Sequence, residues 1–192
     1  MSRQICKLII VALTSAIAGG CVAVAAGGAA VGASTAVDRR TTGTVIEDEA
    51  IELKAAAALR GDEAIRAQTH LNVTSYNTNV LVTGEAPGEE LRTKAIELVQ
   101  GVEKVSKVYN EVTIAAPSSY ITRSSDTVIT SKVKTKLLAR EDIQGLNIKV
   151  VTENGVVYLM GLVGHAEGDT AAEVASQTGG VQKVVKVFEY TD

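Results

Sequence analysis

Apolar and polar positions along the chain fall into one pattern written twice. Leu71–Gly84 (LNVTSYNTNVLVTG) and Ile148–Gly161 (IKVVTENGVVYLMG) align on their final glycines, which pairs Leu71 with Ile148, Val73 with Val150, Val80 with Val157 and Val82 with Leu159. Upstream, Ile51, Ala55 and Leu59 answer to Ile129, Val133 and Leu137. Downstream, GVEKVSKVY from Gly101 answers to GVQKVVKVF from Gly180. Apolar residues four apart predict a helix with one buried stripe, and period-two alternation broken by a polar turn predicts a hairpin. An internal repeat of this kind marks two supersecondary units, each with its own small core.

In the first copy the pattern predicts helix Glu47–Arg60, strands Leu71–Ser75 and Val80–Gly84 around the turn Asn77-Thr78-Asn79, helix Pro87–Gln100 and strand Val105–Ile114. In the second it predicts helix Asp126–Ala139, strands Ile148–Thr152 and Val156–Gly161 around Glu153-Asn154-Gly155, helix Glu167–Gln177 and strand Val184–Tyr190. Asn-Gly is a strong hairpin signal because both residues tolerate positive φ. The fold class is therefore α+β, with two tandem small αββαβ domains. Each is a three-stranded mixed sheet covered on one face by two helices. The connection from the second strand to the third runs through a helix, so that pair is expected to be parallel and the crossover right-handed. The expected division is 1–20 signal peptide, 21–45 lipidated N-terminus and tether, 46–115 first domain, 116–124 linker and 125–192 second domain.

Composition narrows what these domains can do. The 192 residues carry a formal charge of −3, which argues against a general nucleic-acid binder. One Phe and no Trp leave the cores to Val, Leu, Ile and Ala. Neither Cys6 nor Cys21 lies in the repeat, so no disulfide framework holds it. His70 and His165 have no Cys or carboxylate cluster at ligand spacing, which favours surface or loop roles over catalysis or metal binding. No catalytic, metal or cofactor residue is assigned.

The copies differ in charge. In the first helix of copy one, Glu47, Asp48, Glu49 and Glu52 outweigh Lys54 and Arg60, a net −2. The matching stretch of copy two sets Arg123, Lys132, Lys134, Lys136 and Arg140 against Asp126, a net +4. With Ile129, Val133 and Leu137 facing the core, Val128, Lys132, Thr135 and Lys136 share one flank, and Lys134 and Leu138 the other. Cations beside a protruding apolar side chain suit an anionic lipid surface; a solvated basic face is the other reading. The open sheet face also differs. Val151, Val156, Tyr158 and Met160 in copy two stand where copy one has Thr74, Asn79, Leu81 and Thr83. Packing against the other domain is the expected use, with a partner protein or a second lipid contact as the alternative.

At the N-terminus, Arg3 and Lys7 precede the apolar run Leu8–Ala18 and the small residues Ala18-Gly19-Gly20 before Cys21. These are the parts of a secretory signal. Cleavage at a later site such as Ala23-Val24-Ala25, or an uncleaved membrane helix, are the alternatives to lipidation. Small residues followed directly by Cys resemble the lipobox of bacterial lipoproteins. That resemblance implies cleavage after Gly20, acylation of Cys21 and, with Val22 rather than Asp next, delivery to the outer membrane. More than one acyl chain makes such anchoring firm.

The element order, with Gly84 and Gly161 after the second strands and Gly101-Val102 and Gly180-Val181 before the third, resembles the BON domain. AVDRRTTGT (Ala36–Thr44), VYNEVTI (Val108–Ile114), SDTVITSKV (Ser125–Val133) and VTENGVVYLMGLV (Val151–Val163) carry the resemblance across the mature chain. It implies a periplasm-facing, non-enzymatic lipoprotein of the outer membrane. Such a protein binds anionic phospholipid and supports envelope integrity, with the division site as a candidate place of action and envelope proteins as candidate partners. The residues expected to meet phospholipid are Arg123, Val128, Lys132, Lys134, Lys136 and Arg140. Members of the family can carry Trp where this chain has Val128. The alternative function is a periplasmic adaptor or chaperone-like module whose basic helix meets an acidic partner.

Overall fold

The computed structural model of the chain describes residues 38–192. The proposed signal and lipidation site, Cys21 included, lie outside the described residues. In the first copy, α1 (Thr42–Gly61) and α2 (Glu63–Gln68) precede β1 (His70–Tyr76), β2 (Asn79–Ala86), α3 (Glu89–Gln100) and β3 (Lys107–Ile114). The second copy runs α4 (Tyr120–Leu138), a 3-10 turn (Gly145–Asn147), β4 (Ile148–Glu153), β5 (Val156–Val163), α5 (His165–Ser176) and β6 (Lys183–Tyr190).

Each sheet has its second strand in the centre, antiparallel to the first and parallel to the third, as the helical crossover requires. Both hairpins close on two residues, with Tyr76 opposite Asn79 and Glu153 opposite Val156. Asn77 and Thr78 have φ of 51° and 64°, and Asn154 and Gly155 50° and 74°. Two successive residues at positive φ match the right-handed twist of the flanking strands. Gly84 shows why a glycine ends the repeated strand motif. At φ 115° a Cβ there would sit 1.9 Å from the His70 carbonyl oxygen, so β1 and β2 could not pair so closely.

Each copy has its own core between sheet and helices. Ile51, Ala55 and Leu59 of α1 meet Val80, Val82 and Val112; Ile129, Val133 and Leu137 of α4 meet Val150, Val157 and Leu159. A third apolar cluster joins the copies. Tyr76 and Leu81 from one sheet and Tyr158, Met160 and Val187 from the other are buried together. The open faces of the two sheets thus cover each other, and the helices lie outside.

Three local departures from the sequence expectation have clear causes. α2 is additional: Asp62 ends α1 and its side chain accepts the Ile65 amide at 3.1 Å, starting a short second helix that buries Ile65. α4 begins at Tyr120, well inside the stretch expected as linker, because Ser119 caps it by accepting the Thr122 amide at 3.2 Å. The polar segment before α1 is tied to the second copy. Arg39 Nη1 donates to the Leu162 carbonyl at 2.6 Å and to Glu167 at 2.7 Å, and its backbone amide donates to Asn147 Oδ1 at 3.2 Å.

Candidate membrane-contact site

The buried stripe of α4 fixes which side chains it presents outward. With Ile129, Val133 and Leu137 on the core, one exposed line runs through Ile121, Val128 and Thr135, seven residues or two turns apart, beside the exposed Ser124 and Ser131. Ile121 is 83% exposed and Val128 52%. Tyr120 and Leu138 protrude beside this line, at 83% and 55% exposure. Lys132 and Lys136 flank it on one side and Lys134 on the other, all three exposed. Over its 19 residues α4 offers a face about 28 Å long.

Lys132, Lys134 and Lys136 are all exposed to solvent. None is paired with a carboxylate among the described residues; Lys136 Nζ donates to the Gln177 carbonyl at 3.1 Å. The negative charge on the same helix is withdrawn from the surface. Asp126 is buried and accepts the backbone amides of Asn154 and Gly155 at 2.9 and 2.8 Å. The charged side chains that α4 exposes are therefore all positive.

The other two arginines expected at this site stand elsewhere. Arg140 lies past the end of α4 and is held by both oxygens of Asp142 at 2.8 and 2.6 Å. That pairing lowers the Asp142 carboxyl below the ordinary carboxylate range. Arg123 turns toward the junction of the copies, over the Tyr120 ring at 4.4 Å and with Nη1 3.4 Å from His70 Nδ1.

A second apolar projection extends the face. Leu146, 64% exposed, and Leu138 line one groove with Lys134. Gly145 permits it, since a Cβ there would stand 2.7 Å from the Leu137 carbonyl group. Sequence reasoning missed Ile121 and Leu146 as site residues. The signal for Ile121 was Ser119 as a cap two residues upstream; Leu146 had no local signal, because its position comes from the packing of its loop on α4.

The histidines are structural neighbours of charged groups. His165 opens α5, with Nδ1 2.6 Å from Asp192 Oδ1 and its ring stacked on Tyr190 at 3.9 Å. His70 begins β1 beside Arg123. Among the described residues, no three His, Cys, Asp or Glu side chains gather at a metal-binding geometry, and no helix is long and apolar enough to cross a membrane.

The BON domain family model matches residues 47–116 and 125–192. The chain is 42% identical over 173 residues to the outer membrane lipoprotein DolP of Haemophilus influenzae, covering 90% of each chain. It is 39% identical to a 21 kDa hemolysin of Actinobacillus pleuropneumoniae, over 80% of this chain and 79% of the relative. It is 32% identical to the osmotically-inducible protein Y of Escherichia coli, over 74% and 72%. With a match on each copy of the repeat and similarity running through the sheets, the helices and the linker, this chain belongs to the BON-domain family and carries two BON domains in tandem.

Proposed function

We propose that this protein is an outer-membrane lipoprotein, anchored through Cys21, whose second BON domain binds anionic phospholipid and so supports the integrity of the envelope. The observation that carries this reading is the outer face of α4. There an exposed apolar line of Ile121 and Val128 is flanked by three lysines that no carboxylate of the described residues neutralises. Such a helix lies in the interfacial plane, its apolar side chains entering the headgroup boundary while the ammoniums meet phosphates. Each lysine near an anionic surface contributes about 1 kcal/mol. Arg140, tied to Asp142, adds less than the free lysines. The role is one of binding, with no reaction assigned.

Vesicle sedimentation with the acyl-free mature chain tests the reading. The protein is expected to bind anionic vesicles and leave neutral ones. Lys132→Glu with Lys136→Glu is expected to weaken binding more than about tenfold at low salt, with a smaller loss near molar salt, where the screening length is about 3 Å. Val128→Trp is expected to strengthen it, since an aromatic favours the interfacial zone. A folded double variant that binds like wild type would make α4 a solvated face and leave the adaptor reading in its place.

A further inference from the structure

The first helix of copy one carries an exposed apolar line that no other element of its domain covers. With Ile51, Ala55 and Leu59 of α1 on the core, Ile46 and Leu53 stand on the opposite side, two turns apart, at 65% and 69% exposure. Ala57 lies one turn beyond Leu53 and is also exposed, and Gly61 ends the helix with open space where a side chain would be. The line is no requirement of the fold. Matching Ile51 to Ile129 puts Ser124, Ser131 and Thr135 of copy two at the positions of Ile46, Leu53 and Ala57. Single exposed apolar residues are ordinary, but a line of them where the sister helix has hydroxyls is a contact surface.

The charges of α1 say what the contact is. Glu47, Glu52 and Lys54 are each answered within the chain, by Lys104 at 2.9 Å, Lys149 at 2.7 Å and Glu103 at 3.2 Å. Glu49 and Arg60 are exposed on the same side as Ile46 and Leu53 and have no ion-pair partner among the described residues. They lie three turns apart, about 16 Å along the axis, with the negative charge nearer the start. A second α1 laid antiparallel on this face, about a twofold axis near Leu53, brings Glu49 of each helix beside Arg60 of the other. Leu53 then meets Leu53, and each Ile46 reaches Ala57 and Gly61 of the other helix, where small residues leave room. A parallel pair would set Glu49 beside Glu49 and Arg60 beside Arg60, so charge selects the antiparallel arrangement.

We propose that this face joins two copies of the chain in a symmetric dimer, α1 against α1. A closed twofold interface demands a self-complementary patch, and this line of two apolar anchors with one charge of each sign is one. The contact lies on the first domain and does not depend on lipid binding by the second. One helix face against another is smaller than a standard interface of about 1,600 Å2. The dimer is therefore expected to be weak in solution, and a covalent trap is the sensitive readout.

Disulfide trapping in the acyl-free mature chain carrying Cys21→Ser, which has no other cysteine, tests the proposal. Adding Leu53→Cys is expected to give a covalent dimer on oxidation, because residues facing across the twofold come within the Cα separation a disulfide needs. Ser131→Cys, also exposed and at the equivalent position of copy two, is expected to stay monomeric and controls for random collision. In the Leu53→Cys chain, Glu49→Arg is expected to slow trapping about tenfold, since each substitution enters the interface twice. Adding Arg60→Glu is expected to restore the rate. Leu53→Asp, followed by sedimentation velocity at rising concentration, is expected to abolish the dimer and leave the unfolding midpoint unchanged. Absence of trapping, equal trapping of Leu53→Cys and Ser131→Cys, or a double charge reversal that stays slow would overturn the proposal. Assemblies that grow beyond a dimer would also overturn it, since a head-to-tail contact builds those.

Discussion

In each copy the seventh residue of the first helix is a buried aspartate that holds the hairpin turn. Asp48 accepts the amides of Asn77 and Thr78, both at 2.8 Å, the Ser75 hydroxyl at 2.6 Å, and Arg40 Nη1 at 2.8 Å. Asp126 does the same for Asn154 and Gly155. The turn amides, Gly155 buried and the other three half-buried, would otherwise be donors without protein acceptors. Asp126→Ala is therefore expected to destabilise the protein by about 2–4 kcal/mol, as two charge-assisted bonds are lost and two amides orphaned. Urea unfolding measures this, and a change under about 0.5 kcal/mol, the range of ordinary surface substitutions, would show that water replaces the carboxylate. The sequence held a signal for this role. Asp48 and Asp126 stand three residues before Ile51 and Ile129, at one position of the repeat, but counted as surface charge they looked like part of the contrast between copies.

At the scale of elements, α4 is longer than its apolar stripe. The stripe begins at Ile129 and its spacing cannot register residues upstream that touch no core. Ser119 extends the helix by side-chain capping instead, adding Tyr120 and Ile121 to the exposed face. Ile121→Asp is expected to reduce binding to anionic vesicles several-fold while leaving the unfolding midpoint unchanged, because Ile121 is exposed and packs on nothing that holds the fold. Sedimentation and thermal unfolding on the same preparation check both halves. Loss of stability would instead place Ile121 among the structural residues. The pattern did make Val128, Lys132, Lys134 and Lys136 legible, since their phase follows from the buried stripe alone. Arg123 and Arg140 were legible as charges only; their partners, His70 and Asp142, set their direction.

For the whole molecule, the junction of the two sheets combines an apolar centre with buried polar groups. Tyr158, pressed into the sheet junction by its neighbours, has its phenol pushed up to about 12, first by burial and then by the charge of Glu111. Glu85 accepts from Asn154 Nδ2 and from the Ser118 amide at 3.1 Å, which ties the linker to both copies. Lys149 of the second copy donates to Glu52 of the first at 2.7 Å. Glu153, 6% exposed, has its pKa raised from the ordinary 4.5, chiefly by burial, with the Asn72 bond opposing and the charges of Glu85 and Asp126 adding to it. His70 and Arg123 line the same crevice between α4 and β1, and His70 works against the rise. A carboxyl raised in the folded state costs stability when ionised. That cost is present above the raised value and disappears as pH falls through it toward 4.5. Glu153→Gln is expected to be more stable than wild type near pH 7, with the difference shrinking toward pH 4.5 as wild-type Glu153 takes up its proton. Urea midpoints at the two pH values measure it; a constant difference would assign the effect to hydrogen bonding instead of ionisation.

The repeat, the order of the main elements apart from α2, the mixed sheets and the face of α4 that stays outside were all legible along the chain. All of these follow from periodicity, and periodicity records how each residue sits relative to its own element's core. The tertiary structure decided which groups meet across copies. The apolar sheet face was legible in Val151, Val156, Tyr158 and Met160, and so was its packing against the other domain; which residues of copy one meet it was not, because Tyr76 and Leu81 stand among polar neighbours. The seat of Arg123 and the position of Leu146 depend on contacts between residues far apart in the chain. Such contacts are fixed by packing and by the demand that buried polar groups find partners, and neither leaves a local period to read.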